Sequence, residues 1–416
     1  MPTKRSSNGL TISVIALCLI MFIDGIGMSL VLPLIGALFS SDAQSIITSS
    51  TSNLVYQFYY AGSLVCFSGA MIIGATFLGQ LSDYMGRKVT LQLSLIGTVI
   101  GYLICAFAVI VKFPLLFLIG RIIDGLTAGS IPVAQAMLID RDSRQNKMTS
   151  IGLVMFAVTS GYMFGPVISS IVFNYQSLTH ALYLPFLWVA ILSMICLGLL
   201  SYIKESSIKN TTLNLDLMLS FRQIKALLRE QTIFHGLCGF FLFQCAWVLF
   251  YQYLPRMTLY MPSLSSAKIG LLLTEVGIGM CVAFCLVVPK VQTYLSPKQL
   301  IISCVGLFTL SGFSFLAFNE SWVQLQLISL IMAVLYAVGY SAMLAYLLSI
   351  ADDRQKGLIL GSLASICAIS AMFTALLGST LMSISYLAFF QVISFASLIA
   401  LLLFLKKKRV ALSTTA

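Results

Sequence analysis

Apolar residues run through this chain in long blocks separated by short polar stretches, too continuous for strands and too long for one-sided soluble helices. A helix needs about 20 apolar residues to cross a hydrocarbon core. Twelve such blocks can be marked off: 11 to 38, 55 to 79, 89 to 111, 114 to 139, 148 to 173, 181 to 202, 233 to 255, 269 to 289, 299 to 318, 322 to 349, 357 to 382 and 384 to 405. The first follows Lys4 and Arg5 as a secretory signal would, but it is too long and lacks a small-residue cleavage site, so it reads as an uncleaved span. The expected fold is an all-α integral membrane protein of twelve transmembrane helices. The longest polar interval, 203 to 232, divides it into two six-helix bundles, 1–202 and 233–416. Within that interval Leu217, Phe221, Ile224 and Leu228 recur at helical spacing, and Arg222, Lys225 and Arg229 form another face. That pattern suits a basic amphipathic helix on a membrane surface, or a plain tether between bundles.

Composition removes the soluble alternative: 59% of the 416 residues are hydrophobic and 9% charged, against about 25% charged in soluble domains. The net charge of +11 would suit nucleic acid if it were clustered, but the cations sit between the apolar blocks. With spans alternating in direction, twenty Lys and Arg fall on one side, and only Lys112, Arg256 and Lys268 on the other. Cationic loops stay cytoplasmic, so both termini are expected in the cytoplasm and the chain in an inner membrane. All ten cysteines lie inside apolar blocks. With no metal-ligand spacing, nucleophile motif or phosphate loop, neither an enzyme nor a bound metal or cofactor is expected. The expected partners are a small-molecule substrate, protons and lipid, with the chain a monomer.

Between the second and third blocks, Gly79, Asp83, Gly86, Arg87 and Lys88 form a short charged turn. Gly79 removes a side chain where helices approach, Gly86 permits a reversal, and Asp83 can accept from free N–H groups at a helix start. This stretch resembles the signature loop between helices 2 and 3 of the major facilitator superfamily. The six-plus-six division matches that family too. The resemblance implies that Asp140, ending the fourth span, meets Arg87, and that Asp83 faces the start of span 11 near Gly357, holding the cytoplasmic side shut. The corresponding turn of the second half, 289 to 298, has Thr293 in place of an acid, so the matching latch is expected to be missing there.

Ionisable groups inside a membrane are costly and are functional candidates by default. Asp24 lies midway along span 1; its charged form is disfavoured by desolvation, so it either carries a proton or locks span 1 to a neighbour. Its surroundings resemble the first helix of tetracycline-type drug:H+ antiporters. Arg121 and Asp124 lie one turn apart in span 4 and can pair. Arg121, Gly125 and Gly129 match the family's fourth-helix signature, whose Arg is implicated in proton coupling, whereas an acid at 124 departs from it. That acid either neutralises Arg121 or titrates in its own right. Gly161, Gly165 and Pro166 in span 5 resemble the antiporter signature, with Ser169 and Ser170 in place of its last glycines. Glu275 in span 8 is a second proton or cation site, or lies near the outer boundary. The resemblance implies a cavity lined by spans 1, 4, 7 and 10, with Phe22, Met28, Gln135, Gln244, Trp247, Tyr251, Tyr336 and Tyr340 as candidates for substrate contact. The expected function is proton-coupled export of a small organic molecule, drug or metabolite, by alternating access. The alternative is an importer, or a carrier of a siderophore or other metabolite.

Overall fold

The computed structural model describes residues 5–39, 46–47, 53–128, 130, 133–134, 137, 147–174, 182–203, 222, 225, 231–259, 265–317, 321–351 and 353–405. Among these, every regular element is helical. The helices are α1 (Arg5–Leu38), α2 (Asn53–Met85), α3 (Arg87–Ile110), α4 (Pro114–Thr127), α5 (Lys147–Asn174), α6 (Leu184–Ser201), α7 (Gln231–Tyr253), α8 (Ser266–Val282), α9 (Pro297–Phe313), α10 (Trp322–Ser349), α11 (Asp353–Ile384) and α12 (Tyr386–Leu405). A π-helical turn, Ala283–Val287, and a last α turn, Val288–Val291, prolong α8. Nine of the described helices are long and apolar enough to cross a bilayer. The apolar parts of α5 and α9 are shorter, Phe156–Val172 and Pro297–Phe313, and α4 is described without a break only to Thr127. The amphipathic pattern at 217 to 229 lies almost wholly outside the described residues.

Helix packing repeats with a shift of six. α3 packs on α4 as α9 does on α10, α3 on α6 as α9 on α12, and α1 on α6 as α7 on α12. Likewise α1 packs on α5 as α7 on α11, and α2 on α4 as α8 on α10. The halves meet where α5 lies on α8 and α2 on α11, two contacts that the same shift exchanges. Such a pattern is the signature of two bundles related by a pseudo-two-fold axis along the membrane normal.

The most extensive helix contact is that between α1 and α5, and the glycines make it possible. A Cβ on Gly25 would stand 2.5 Å from the Val158 carbonyl oxygen, and one on Gly161 2.9 Å from both the Gly25 Cα and the Ile26 nitrogen. The Ser29 hydroxyl donates to the Gly25 carbonyl at 2.9 Å, and Ser169 donates to the Leu30 carbonyl at 2.9 Å. Ser169 therefore keeps the close approach that a glycine would give and adds a hydrogen bond, worth about 0.6 kcal/mol on average between membrane helices. Gly161→Leu should lower the thermal midpoint of the detergent-solubilised protein, because backbone on the facing helix cannot move aside and overpacking costs about 1–3 kcal/mol. An unchanged midpoint would contradict this packing.

The junction of α2 and α3 corrects one expectation. Helix α2 runs on to Met85, α3 begins at Arg87, and Gly86 alone reverses the chain, at φ 97°. From Gly79 to Met85 there is no residue that breaks a helix, so the turn shrinks to the one position where glycine is needed. Gly79 consequently stands inside α2, and a Cβ there would meet nothing within 4 Å. It does not serve a close helix approach in this form. In the second half α9 opens with Ser296 and Gln299 in a reciprocal capping box, and the Thr293 hydroxyl donates to the Lys290 carbonyl at 2.6 Å. A neutral cap thus occupies the place of the charged turn.

Candidate functional site

Between the halves lies a cavity of about 260 Å³. The second half supplies an aromatic wall. The rings of Tyr336 on α10 and Trp247 on α7 stack 4.3 Å apart and 8° from parallel, and Tyr251 extends the stack 5.8 Å from Trp247. Gln244, Trp247 and Tyr251 recur at helical spacing, so one face of α7 presents them together. The Tyr336 hydroxyl donates to Gln244 Oε1 at 3.0 Å, which fixes the side chains relative to one another. The first half contributes Phe67, Arg121 and Tyr162.

Arg121 and Asp124 form the ion pair their spacing predicts, Nη1 to Oδ2 at 2.7 Å, and both residues are buried, 3% and 6% exposed. The guanidinium carbon lies 4.1 Å from the centre of the Phe67 ring. Arg121 Nε has no hydrogen-bond partner among the described residues, as expected when the plane is held against an aromatic face. Asp24 accepts a hydrogen bond from the Ser130 hydroxyl. Asp24 and Asp124 both line a second, smaller space of about 10 Å³, with Thr98, Tyr102 and Ser193. That is room for one water molecule. Phe67 lines this chamber as well as the larger cavity.

The two ends of the protein differ. Where α1 joins α2 and α7 joins α8, the halves are latched. The Tyr60 hydroxyl donates to the Gln252 carbonyl at 2.5 Å, and Arg256 lies 4.9 Å over the Tyr60 ring. Arg256 Nη1 also donates to the Phe39 carbonyl at 3.3 Å. Ser170, the other serine in place of a motif glycine, donates to the Ala267 carbonyl at 3.2 Å and so ties α5 to α8. At the end carrying the α2–α3 turn, Asp83 pairs with Arg87 of the same turn at 2.8 Å, and its side chain is 49% exposed. The side chains at the start of α11 near Gly357, which the resemblance sets opposite Asp83, lie outside the described residues. Arg87 also donates to the Ser82 hydroxyl at 2.7 Å, and Lys88 to the Ser201 carbonyl at 2.9 Å.

Of the candidate substrate contacts, Gln244, Trp247, Tyr251 and Tyr336 line the cavity. Phe22 instead packs edge-on against Phe164, 5.5 Å between ring centres, on the tight α1–α5 seam. Tyr340 stands one turn beyond Tyr336, where its ring meets Phe240 and Phe284. Glu275 accepts from Gln326 Nε2 at 2.6 Å across the α8–α10 contact, whereas Gly277 and Met280 of α8 are the ones that line the cavity. Gly165 and Pro166 lie within α5, both buried. Gln135, Asp140, Gly129 and the side chain of Met28 fall outside the described residues. The sequence reading missed Tyr162, which sits inside the span 5 motif, and Gln252, an amide in an apolar run beside Tyr251. Phe67 gave no signal, being one of 28 phenylalanines.

Two bundles repeated by a six-helix shift around a cavity between them make this a membrane carrier, a transporter and not an enzyme. The chain belongs to the Major Facilitator Superfamily, whose sequence profile matches residues 17–288 and 262–415. It is 24% identical over 391 residues to the class H tetracycline resistance protein of Pasteurella multocida, covering 90% of both chains. To the class C tetracycline resistance protein of Escherichia coli it is 26% identical over 363 residues, covering 84% of both. Among solved structures, a D-xylose-proton symporter superposes with a TM-score of 0.74 at 15% identity, over 95% of this chain and 96% of the other. This last likeness concerns the fold.

Proposed function

We propose that the protein is a proton-coupled antiporter that exports a small, flat organic molecule, drug or metabolite, across an inner membrane. One observation carries the reading: two membrane-embedded carboxylates, Asp24 and Asp124, line a one-water chamber beside an aromatic cavity, and Arg121, which lines that cavity, is paired with Asp124. Charged groups at this depth have a high cost, which a proton-transfer role explains. The stacked rings and the amides Gln244 and Gln252 suit a planar, partly polar solute. The relatives named for tetracycline resistance make compounds of that kind the first to test. The excess of cations on one side supports cytoplasmic termini, so the latched end is extracytoplasmic and the described form is open inward. Residues 1–202 and 233–416 act as rocking units around the cavity, joined by 203–232, in a monomer. Asp83, Arg87 and Asp140 then close the cytoplasmic side when the outer latch opens.

The test uses inside-out membrane vesicles acidified by respiration and carrying a pH-sensitive dye. Adding tetracycline, ethidium or other flat zwitterionic and cationic compounds should release protons from the lumen as the compound accumulates there. Proton movement together with solute, in the direction of uptake by cells, would instead establish an importer. No response to any member of the panel would count against drug export.

A further inference from the structure

The water-sized chamber beside Asp24 and the larger cavity share a lining residue. Phe67 lines both, and its ring carries the Arg121 guanidinium at 4.1 Å. Its position is set by backbone: a Cβ on Gly125 would stand 3.1 Å from the Phe67 carbonyl carbon and 2.8 Å from the Ala70 Cβ. Helix α2 is thereby held against the turn of α4 that carries Asp124, and the ring has little room to withdraw. Among the described residues Arg121 makes one charge-assisted bond, to Asp124, and its Nε has no partner. The aromatic face is therefore its other principal restraint.

Resting on the proton-coupling reading, we infer that Phe67 is a positioning residue for coupling: it keeps Asp24 from exchanging protons directly with the solute cavity. By stacking on Arg121 it also makes movement of the Arg121–Asp124 pair the route by which protonation reaches the cavity. A solute and a proton then influence each other without touching. Around Asp24 stand Ser130 just beyond α4, Asp124 from α4, Tyr102 from α3, Tyr162 from α5 and Cys196 from α6, with Arg121 paired to Asp124. Cys66 and Cys105 lie near Arg121. A desolvated cation–aromatic contact biases an equilibrium roughly thirtyfold, which is enough to decide which way a loaded pair rests.

Two readouts need no knowledge of the solute. The first is proton leak into pyranine-filled liposomes under an imposed pH gradient. Phe67→Ala removes the wall, lets the empty carrier pick up and lose protons as it cycles, and should leak about tenfold faster than the parent. Phe67→Leu and Phe67→Trp keep the wall and should stay tight. The second readout is the pH titration of Trp247 fluorescence with Trp188 and Trp322 replaced by phenylalanine. The parent should titrate; Phe67→Leu, which fills the space without an aromatic face, should lose most of the change, and Phe67→Tyr should restore it. A tight Phe67→Ala, or a Phe67→Leu that titrates like the parent, overturns the inference. Asp24→Asn is run alongside. If it titrates and exchanges protons normally, the proton-coupling reading itself fails. If it is silent while the Phe67 variants behave as the parent, only the role of Phe67 falls.

Discussion

Asp24→Asn is expected to leave a folded carrier that exchanges solute at equal pH but cannot concentrate it. The amide preserves size and can still receive the Ser130 hydrogen bond, so that link survives while the group that would take up the proton is removed. The effect is large because a proton gradient of one pH unit, exchanged one for one, sustains about a tenfold solute gradient. The variant should show no gradient at all. Solute counterflow in liposomes at matched pH, followed by accumulation under an imposed gradient, separates the two abilities. Retained accumulation would remove Asp24 from the mechanism and leave it a structural link. Loss of both abilities, with normal chromatographic behaviour, would point to a role in moving the helices instead.

Arg121→Ala should be the most destabilising single change in the site. It strands the Asp124 carboxylate, 6% exposed, with no cation, and breaking a buried pair from one side costs about 3–5 kcal/mol. The double variant Arg121→Ala with Asp124→Ala removes the stranded charge and should recover most of the lost thermal stability, although transport stays absent. Arg121→Lys is not a mild replacement, because a point charge cannot stack flat on Phe67 while holding Asp124. Thermal unfolding in detergent for the four members of the cycle checks this. If the double variant is no more stable than Arg121→Ala, the cost lies in packing and the pair is not what holds α4.

The spans were legible because a bilayer demands length and continuity of apolar residues, and those are properties of sequence. The Arg121–Asp124 pair was legible for a similar reason, since i,i+3 spacing on one helix sets the distance before any tertiary structure exists. The α2–α3 turn was read too long: charge and glycine suggested a loop from Gly79, but helical hydrogen bonding continues until a residue with positive φ is required, at Gly86. The Asp83–Arg87 pair, like that of Arg121 and Asp124, follows from short spacing in sequence, i to i+4. Phe67 and the water-sized chamber were invisible for a different reason. They arise where five helices, α1, α2, α3, α4 and α6, converge, and a phenylalanine in an apolar run looks the same whether it faces lipid or a guanidinium. The pseudo-symmetry of the halves also lies in packing more than in motif, since Thr293 and the Ser296 cap replaced the charged turn in the second copy.

The claim beneath all of this is that protonation sets which end of the two-bundle carrier is open. The most direct measurement is a pair of spin-label distances in a background without the ten native cysteines. One pair, Tyr84→Cys with Thr293→Cys, spans the end with the charged turn; the other, Lys112→Cys with Ser321→Cys, spans the latched end. On changing pH the two distances should shift in opposite senses, one lengthening as the other shortens, and Asp24→Asn should abolish the response. Distances that ignore pH, or that lengthen and shorten together, would contradict the account.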